Sequence, residues 1–233
     1  TISFRFYAWG ARNSGGVFSI NDFTFNGLGS AVSSCGTATA IWAGGIWSWD
    51  DGTPDNTIPE IGTTEQVIID DDYDTGVQGS FSACNLTVNP GFTLTISDVD
   101  TGLTNTYVEV QNDVIVDGNI IVQPYGAFVQ NNDLGVIDGA VLTDKTKITV
   151  VKKTAPMAVA LEYTYWSSPI FGETIGDGLF ESNASRRYRF NAQNYSDPDG
   201  NGIDDSNDDW ERITDGTTPM ETGVGYASTH DPN

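Results

Sequence analysis

Between residues 67 and 150 the chain repeats a triplet with apolar outer members, closed off each time by a turn. The triplets are VII (67–69), LTV (86–88), LTI (94–96), VEV (108–110), VIV (114–116), IIV (120–122), AFV (127–129) and ITV (148–150), with NPG, DG and PYG turns among them. Such runs are too short to build the apolar stripe of a helix, and β-branched residues between Gly, Asn, Asp and Pro favour strands. Side chains alternate along a strand, so the outer residues of a triplet share a face. Leu94 to Val114 and Leu86 to Val108 are steps of 20 and 22 residues, each holding two or three short strands. That spacing is the texture of a parallel β-helix, in which equivalent apolar positions stack one rung apart. A meander of hairpins uses the same DG turns. Triplets are short for hairpin strands, however, and the solenoid is the preferred reading. Its expected inward positions include Val67, Ile69, Leu86, Val88, Leu94, Ile96, Val114, Val116, Ile120 and Val122.

The fold class expected for the whole chain is all-β, a short parallel β-helix-like solenoid flanked by β-sandwich-type strands. Residues 2–8 and 17–26 alternate, with Phe4 and Phe6 answered by Phe23 and Phe25, and 1–28 reads as the last strands of a preceding β-sandwich. Small and polar residues mark 29–40 as a linker. The solenoid is expected over 41–155. After Pro156 longer aromatic segments, LEYTYWSSPIF, RRYRFN, DWERI and VGYAS, predict a second β unit over 156–233. In IWAGGIWSWDDGTP (41–54), Trp42, Trp47 and Trp49 are expected to cap the open end of the solenoid; the alternative is that Trp47 and Trp49 are exposed and stack on sugar rings. Lys145, Lys147, Lys152 and Lys153 gather at the opposite end, where lysines discourage strand addition.

With 32 Asp and Glu against 10 Lys and Arg, the formal net charge is −22. Nucleic acid and anionic membrane are therefore unfavourable partners, and divalent cations are the natural counter-ions. No run approaches the roughly 18 apolar residues of a spanning helix, so membrane insertion is not expected. Hydrophobic residues at 38% and aromatic residues at 11% are enough for a packed core. Cys35 and Cys84 fit either a disulfide or two buried thiols. His230 is the single histidine, which leaves imidazole catalysis and His-rich metal sites nearly excluded. The opening TISFRFYAWG reads as a strand and GVGYASTHDPN stops at the start of one, so the chain is expected to be a piece of a longer protein.

One stretch carries a metal-ligand spacing. DPDGNGIDDSND matches D-x-[DN]-x-[DN]-G at Asp197, Asp199, Asn201 and Gly202, and sets Asp205 and Asp208 at the ninth and twelfth positions. Alternate oxygen donors on a tight loop converge on one cation. Asp197, Asp199 and Asn201 would supply side-chain oxygens, Ile203 its carbonyl, Asp205 a direct or water-mediated contact, and Asp208 the closing carboxylate. The expected ion is calcium; the alternative is a solvated acidic turn that holds no ion. The loop resembles those of dockerins and thrombospondin type 3 repeats, and its flanking strand-like segments predict a structural ion without a helix-pair switch.

The order of CGTATAIWAGGIWSWDDGTP, QVIIDDDYDTGVQGSFSACNLTVNPGFTLTI, VEVQNDVIVDGNIIVQPYGAFVQ, EYTYWSSPIFG and METGVGYA resembles a module of large Bacteroidetes cell-surface proteins exported by the type IX secretion system. The resemblance covers roughly residues 35–228, and SACNLTVNPGFTLTI followed by YTYWSSP is its most specific part. It implies an extracellular, surface-displayed, adhesin-like protein. The partners it implies are the export machinery and neighbouring domains of the same polypeptide. The acidic SDPDGNGIDDSND departs from that module, where a short turn joins the two flanking strands. Surface glycans are a further possible partner if the Trp-rich stretch or the aromatic strands are exposed. Parallel β-helices also host polysaccharide lyases and glycosidases, which need paired carboxylates or a basic proton abstractor along a groove. With only about four rungs and its lysines at one end, the chain is expected to be a structural or adhesive segment and not an enzyme; a carbohydrate-binding module or part of a polysaccharide-processing enzyme is the alternative.

Overall fold

A computed structural model describes residues 34–97, 105–132, 134–139, 147–154, 162–201, 205–206 and 209–230. The strands expected at 2–8 and 17–26, and with them the sandwich expected over 1–28, lie outside the described residues. The chain divides into two compact units, one over Ser30–Ala155 with Pro169–Gly172, the other over Thr1–Gly29, Pro156–Ser168 and Glu173–Asn233.

The first unit starts on a hairpin. β1 (Ala38–Ala43) and β2 (Ile46–Trp49) pair antiparallel across Gly44 and Gly45, whose φ angles of 60° and 79° belong to the two-residue turn that matches strand twist. Residues 38–40, expected as the end of a linker, thus belong to a strand. Small residues permit this, because Ala38 and Ala40 point inward and are buried.

The rungs follow. The first holds β3 (Thr64–Ile69), β4 (Tyr73–Asp74), the single-turn helix α1 (Thr75–Gln78) and β5 (Phe81–Ala83). The second holds β6 (Asn85–Val88), β7 (Thr93–Ile96) and β8 (Thr106–Val110), and the third β9 (Val114–Val116), β10 (Asn119–Val122) and β11 (Gly126–Gln130). A fourth begins with β12 (Ile137–Gly139) and β13 (Ile148–Val150). Strands one rung apart pair in parallel, which builds three sheets ordered β2-β1-β3-β6-β9-β12, β4-β7-β10-β13 and β5-β8-β11. This is the strand pairing of a parallel β-helix.

The register stacks side chains into columns: Val67, Leu86, Val114 and Ile137; Tyr73, Leu94, Ile120 and Ile148; Phe81, Val108 and Phe128. All ten expected inward positions are no more than 4% exposed. Two details differ from the sequence expectation. Leu94 stacks on Ile120 and Leu86 on Val114, because the chain between β7 and β8 is longer than that between β4 and β5 and rung length is not constant. In the AFV triplet the middle residue, Phe128, faces inward. Gly126 sets that parity: a Cβ there would meet the Ile96 carbonyl oxygen at 2.3 Å, so the strand starts on the one residue that fits.

Asparagines ladder one corner of the rungs. Asn132 Nδ2 donates to Asn112 Oδ1 at 3.1 Å, and Asn112 Nδ2 donates to Cys84 Sγ at 3.1 Å. Cys84 is bonded to Cys35, with Cα atoms 5.4 Å apart, which decides the question the sequence left open. The cystine fastens the segment before β1 to the corner after β5.

The hairpin end of the solenoid is filled by Trp42, Trp47, Tyr73 and Phe81, with ring centroids 4.9–5.6 Å apart at tilted or edge-to-face angles. Trp42 Nε1 donates to the Asp72 carbonyl and Tyr73 Oη to the Gly79 carbonyl, at 3.0 and 2.8 Å. Trp47 Nε1 is buried inside the plug beside the Tyr73 ring. Burial pushes the Tyr73 phenol up from its ordinary value to about 12. A phenol whose pKa is raised by folding stabilises the native state fully below about pH 10, and that contribution is lost as the pH climbs towards 12. The shift corresponds to roughly 2–3 kcal/mol. Urea unfolding at rising alkaline pH is expected to lose stability more steeply in the parent than in Tyr73→Phe; equal slopes would mean that this ring is not held in its neutral form.

The second unit is a sheet of four antiparallel-paired strands ordered β14-β17-β15-β16, from β14 (Thr164–Trp166), β15 (Ser182–Phe190), β16 (Trp210–Arg212) and β17 (Tyr226–His230), with a single-turn helix α2 (Ile175–Gly178). Tyr226 packs with Ile175, Leu179 and Met220, flanked by half-buried Trp166, Ile213 and Val224. Arg187 is buried, and its guanidinium donates to the Leu179 and Ser182 carbonyls and to Ser182 Oγ at 2.8–3.1 Å. Its charge is held by oxygens that also fix the start of the strand.

Candidate metal centre

The acidic loop leaves β15 at Asn191 and returns to β16 at Asp209, and its base is closed by the chain itself. Asn191 N donates to the Asp209 carbonyl at 2.7 Å, Asp205 N to the Ser196 carbonyl at 2.7 Å, and Ser206 Oγ to the Asn194 carbonyl at 3.1 Å. Beneath it, Glu211 accepts from Asn191 Nδ2 at 2.8 Å and from the Arg189 guanidinium at 2.7 Å. These bonds, that of Asn191 first, hold the Glu211 carboxyl below the usual carboxylate range.

Asp197, Asp199 and Asp205 each place a carboxylate oxygen within 4.8 Å of the others. Asp197 is half-buried and the other two are exposed. A tight turn brings them together: Asn201 N donates to Asp197 Oδ1 at 3.0 Å and to Asp199 Oδ1 at 3.1 Å, and Gly200 takes the left-handed φ of 72° that the turn requires. Asn201 Nδ2 donates to Asp199 Oδ2 at 2.9 Å, so a half-turn of the amide is needed to offer Oδ1 to a cation. Gly202, Ile203 and Asp208 lie outside the described residues.

Three carboxylates at this separation repel one another by roughly 1 kcal/mol per pair even in water. Clustered carboxylate oxygens are the donor type that hard divalent cations take. Three of the six expected ligands, Asp197, Asp199 and Asp205, thus bring carboxylate oxygens together, with Asn201 hydrogen-bonded to Asp199 beside them.

The Trp-rich stretch does not offer the sugar platform considered from sequence. Trp47 is 2% exposed inside the aromatic plug, and Trp49 is half-buried with its Nε1 donating to the Thr57 carbonyl at 3.2 Å. Sequence reasoning missed a different aromatic group, Tyr165, Phe190 and Trp210, which cross-strand pairing collects on the outward face of the second sheet. The alternation in EYTYW and RRYRF signalled a shared face, but not which strands would lie side by side.

Fold and loop together define an all-β protein with a disulfide-clamped parallel stack and an antiparallel unit bearing an acidic, cation-competent turn. Residues 41–232 match the model of a domain of unknown function, DUF8693, and the chain belongs to that family. The match runs through both units and includes the acidic loop. No curated protein and no solved structure matches the chain. Among the described residues no helix is long and apolar enough to cross a membrane.

Proposed function

We propose that this chain is a calcium-stabilised structural or adhesive segment of a large secreted cell-surface protein, without catalytic activity of its own. The observation that carries the reading is the convergence of Asp197, Asp199 and Asp205 within a D-x-D-x-N-G spacing, an arrangement that a cation relieves of its own repulsion. Three features support the rest. Apolar columns fill the solenoid, which suits a load-bearing shaft. The Cys35–Cys84 bond suits an oxidising compartment. The resemblance to modules exported by the type IX system suits display at the cell surface, with neighbouring domains of the same polypeptide as its standing partners.

Calcium is the ion, Asp197, Asp199, Asn201 and Asp205 are ligands, and the Ile203 carbonyl and Asp208 complete the set. Calorimetric titration is expected to give one binding event per chain. Calcium at a hundredfold excess over Kd should stabilise the second unit by about 2.7 kcal/mol. A chelator should lower its melting temperature, and Asp199→Ala and Asp208→Ala should melt like the chelated parent. Absence of binding heat, with identical melting in calcium and in chelator, would remove the metal from this reading.

A further inference from the structure

The sheet of the second unit has two unlike faces. Tyr226, Trp166 and Arg187 serve the inner one. On the other, Tyr165, Ala227, Tyr188 and Arg212 stand in register across all four strands. Phe190 and Trp210, paired with each other and two residues along from Tyr188 and Arg212, share that face by strand alternation. Ala227 between the tyrosines leaves room for rings to lean across the sheet. Tyr165 and Trp210 have centroids 5.7 Å apart and Trp210 and Phe190 5.1 Å apart, which makes a continuous row of three rings from three strands.

These rings are 51%, 40% and 39% exposed, an unusual amount of aromatic surface to leave together in water. Beside the row, Tyr188 meets Tyr163 at 5.8 Å, and Arg186 donates to Tyr163 Oη at 3.5 Å. The charge pattern is local as well. In a chain of net charge −22 this face carries Arg186 and Arg212, while the single carboxylate of the four strands, Glu211, lies on the opposite face paired with Arg189 at 2.7 Å.

We infer that this face is a binding surface for anionic polysaccharide, with the C–H faces of successive pyranose rings stacked on Tyr165, Trp210 and Phe190 and a carboxylate or sulfate held by Arg212. The ring spacing is comparable to the repeat of a pyranose chain. The tilts of 45° and 53° between successive rings suit a chain that twists along its length. An aromatic ring offers apolar area at little entropic loss, and a guanidinium offers two parallel donors to one anionic group. A neutral glycan would use the rings and leave the Arg212 charge unused. The inference rests on the adhesive reading and gives it a site and a ligand class.

The test uses the whole chain at saturating calcium, titrated with a chondroitin sulfate hexasaccharide and, separately, with cellohexaose. The sulfated sugar is expected to bind, at least tenfold more tightly than cellohexaose, and more weakly as salt is raised. Trp210→Ala and Arg212→Gln should each weaken it tenfold or more with unchanged melting. Should Trp210→Ala fail to fold, Tyr165→Ala and the exposed Arg212→Gln carry the same comparison. Three results overturn the inference: no binding of the sulfated sugar, equal binding of both sugars, or self-association of the chain in sedimentation that Tyr165→Ala abolishes. Missing sugar binding with an intact calcium heat sinks this inference alone, and the reverse outcome sinks the metal site alone.

Discussion

Leu94→Ala is expected to destabilise the solenoid by about 2–5 kcal/mol. Leu94 is fully buried and stands mid-column, with Tyr73 one rung before it and Ile120 one rung after. Truncation removes apolar burial and leaves a void that the flanking rungs cannot collapse into, because each is held by its own ladder hydrogen bonds. In a stack where every rung contacts only its neighbours, a weak rung in the middle also uncouples the ends. Urea unfolding followed by tryptophan fluorescence reads the loss directly, since Trp42 and Trp47 report on the hairpin end. Ile115→Ala is the control: Ile115 lies in the adjacent rung but points outward, 41% exposed, and its loss should stay within about 0.5 kcal/mol. If the two variants unfold alike, the interior described here is wrong.

Reduction of Cys35–Cys84 is the second change of comparable size. The bond joins residues 49 apart, and the loop-closure entropy it removes from the unfolded chain corresponds to about 4 kcal/mol. It also anchors the chain ahead of β1, the strand that pairs with the first rung, and supplies the sulfur that accepts from Asn112 Nδ2. Cys35→Ser with Cys84→Ser is therefore expected to unfold at markedly lower urea than the oxidised parent, by an amount equivalent to about 2–5 kcal/mol. The parent in reductant should follow the double variant. Coincident curves for oxidised and reduced protein would show that the clamp contributes nothing. Two free thiols in protein recovered from an oxidising compartment would remove one support of the extracellular reading.

The sequence by itself determined the strand character of this chain and the inward face of most of its rungs. Triplets of Val, Ile, Leu and Thr bounded by turn residues admit little else, and alternation fixes which members face in once one face is buried. It also determined the spacing of the acidic loop, since D-x-D-x-N-G is a local pattern and the turn at Gly200 needs only its neighbours. Tertiary structure decided what local rules cannot reach. Which triplet stacks on which depends on the length of the intervening corners, so Leu94 met Ile120 and not Val114. Parity in the last complete rung was set by the close approach of Gly126 to the Ile96 carbonyl. The partner of Cys35 was fixed by the first rung folding back beneath β1. Trp47 went into the end plug because the Gly44–Gly45 turn folds β2 over β1, whereas Tyr165, Phe190 and Trp210 became neighbours through pairings between strands far apart in sequence. Side-chain alternation is a property of each strand alone; adjacency between strands is a property of the whole sheet, and the candidate binding face depends on the second.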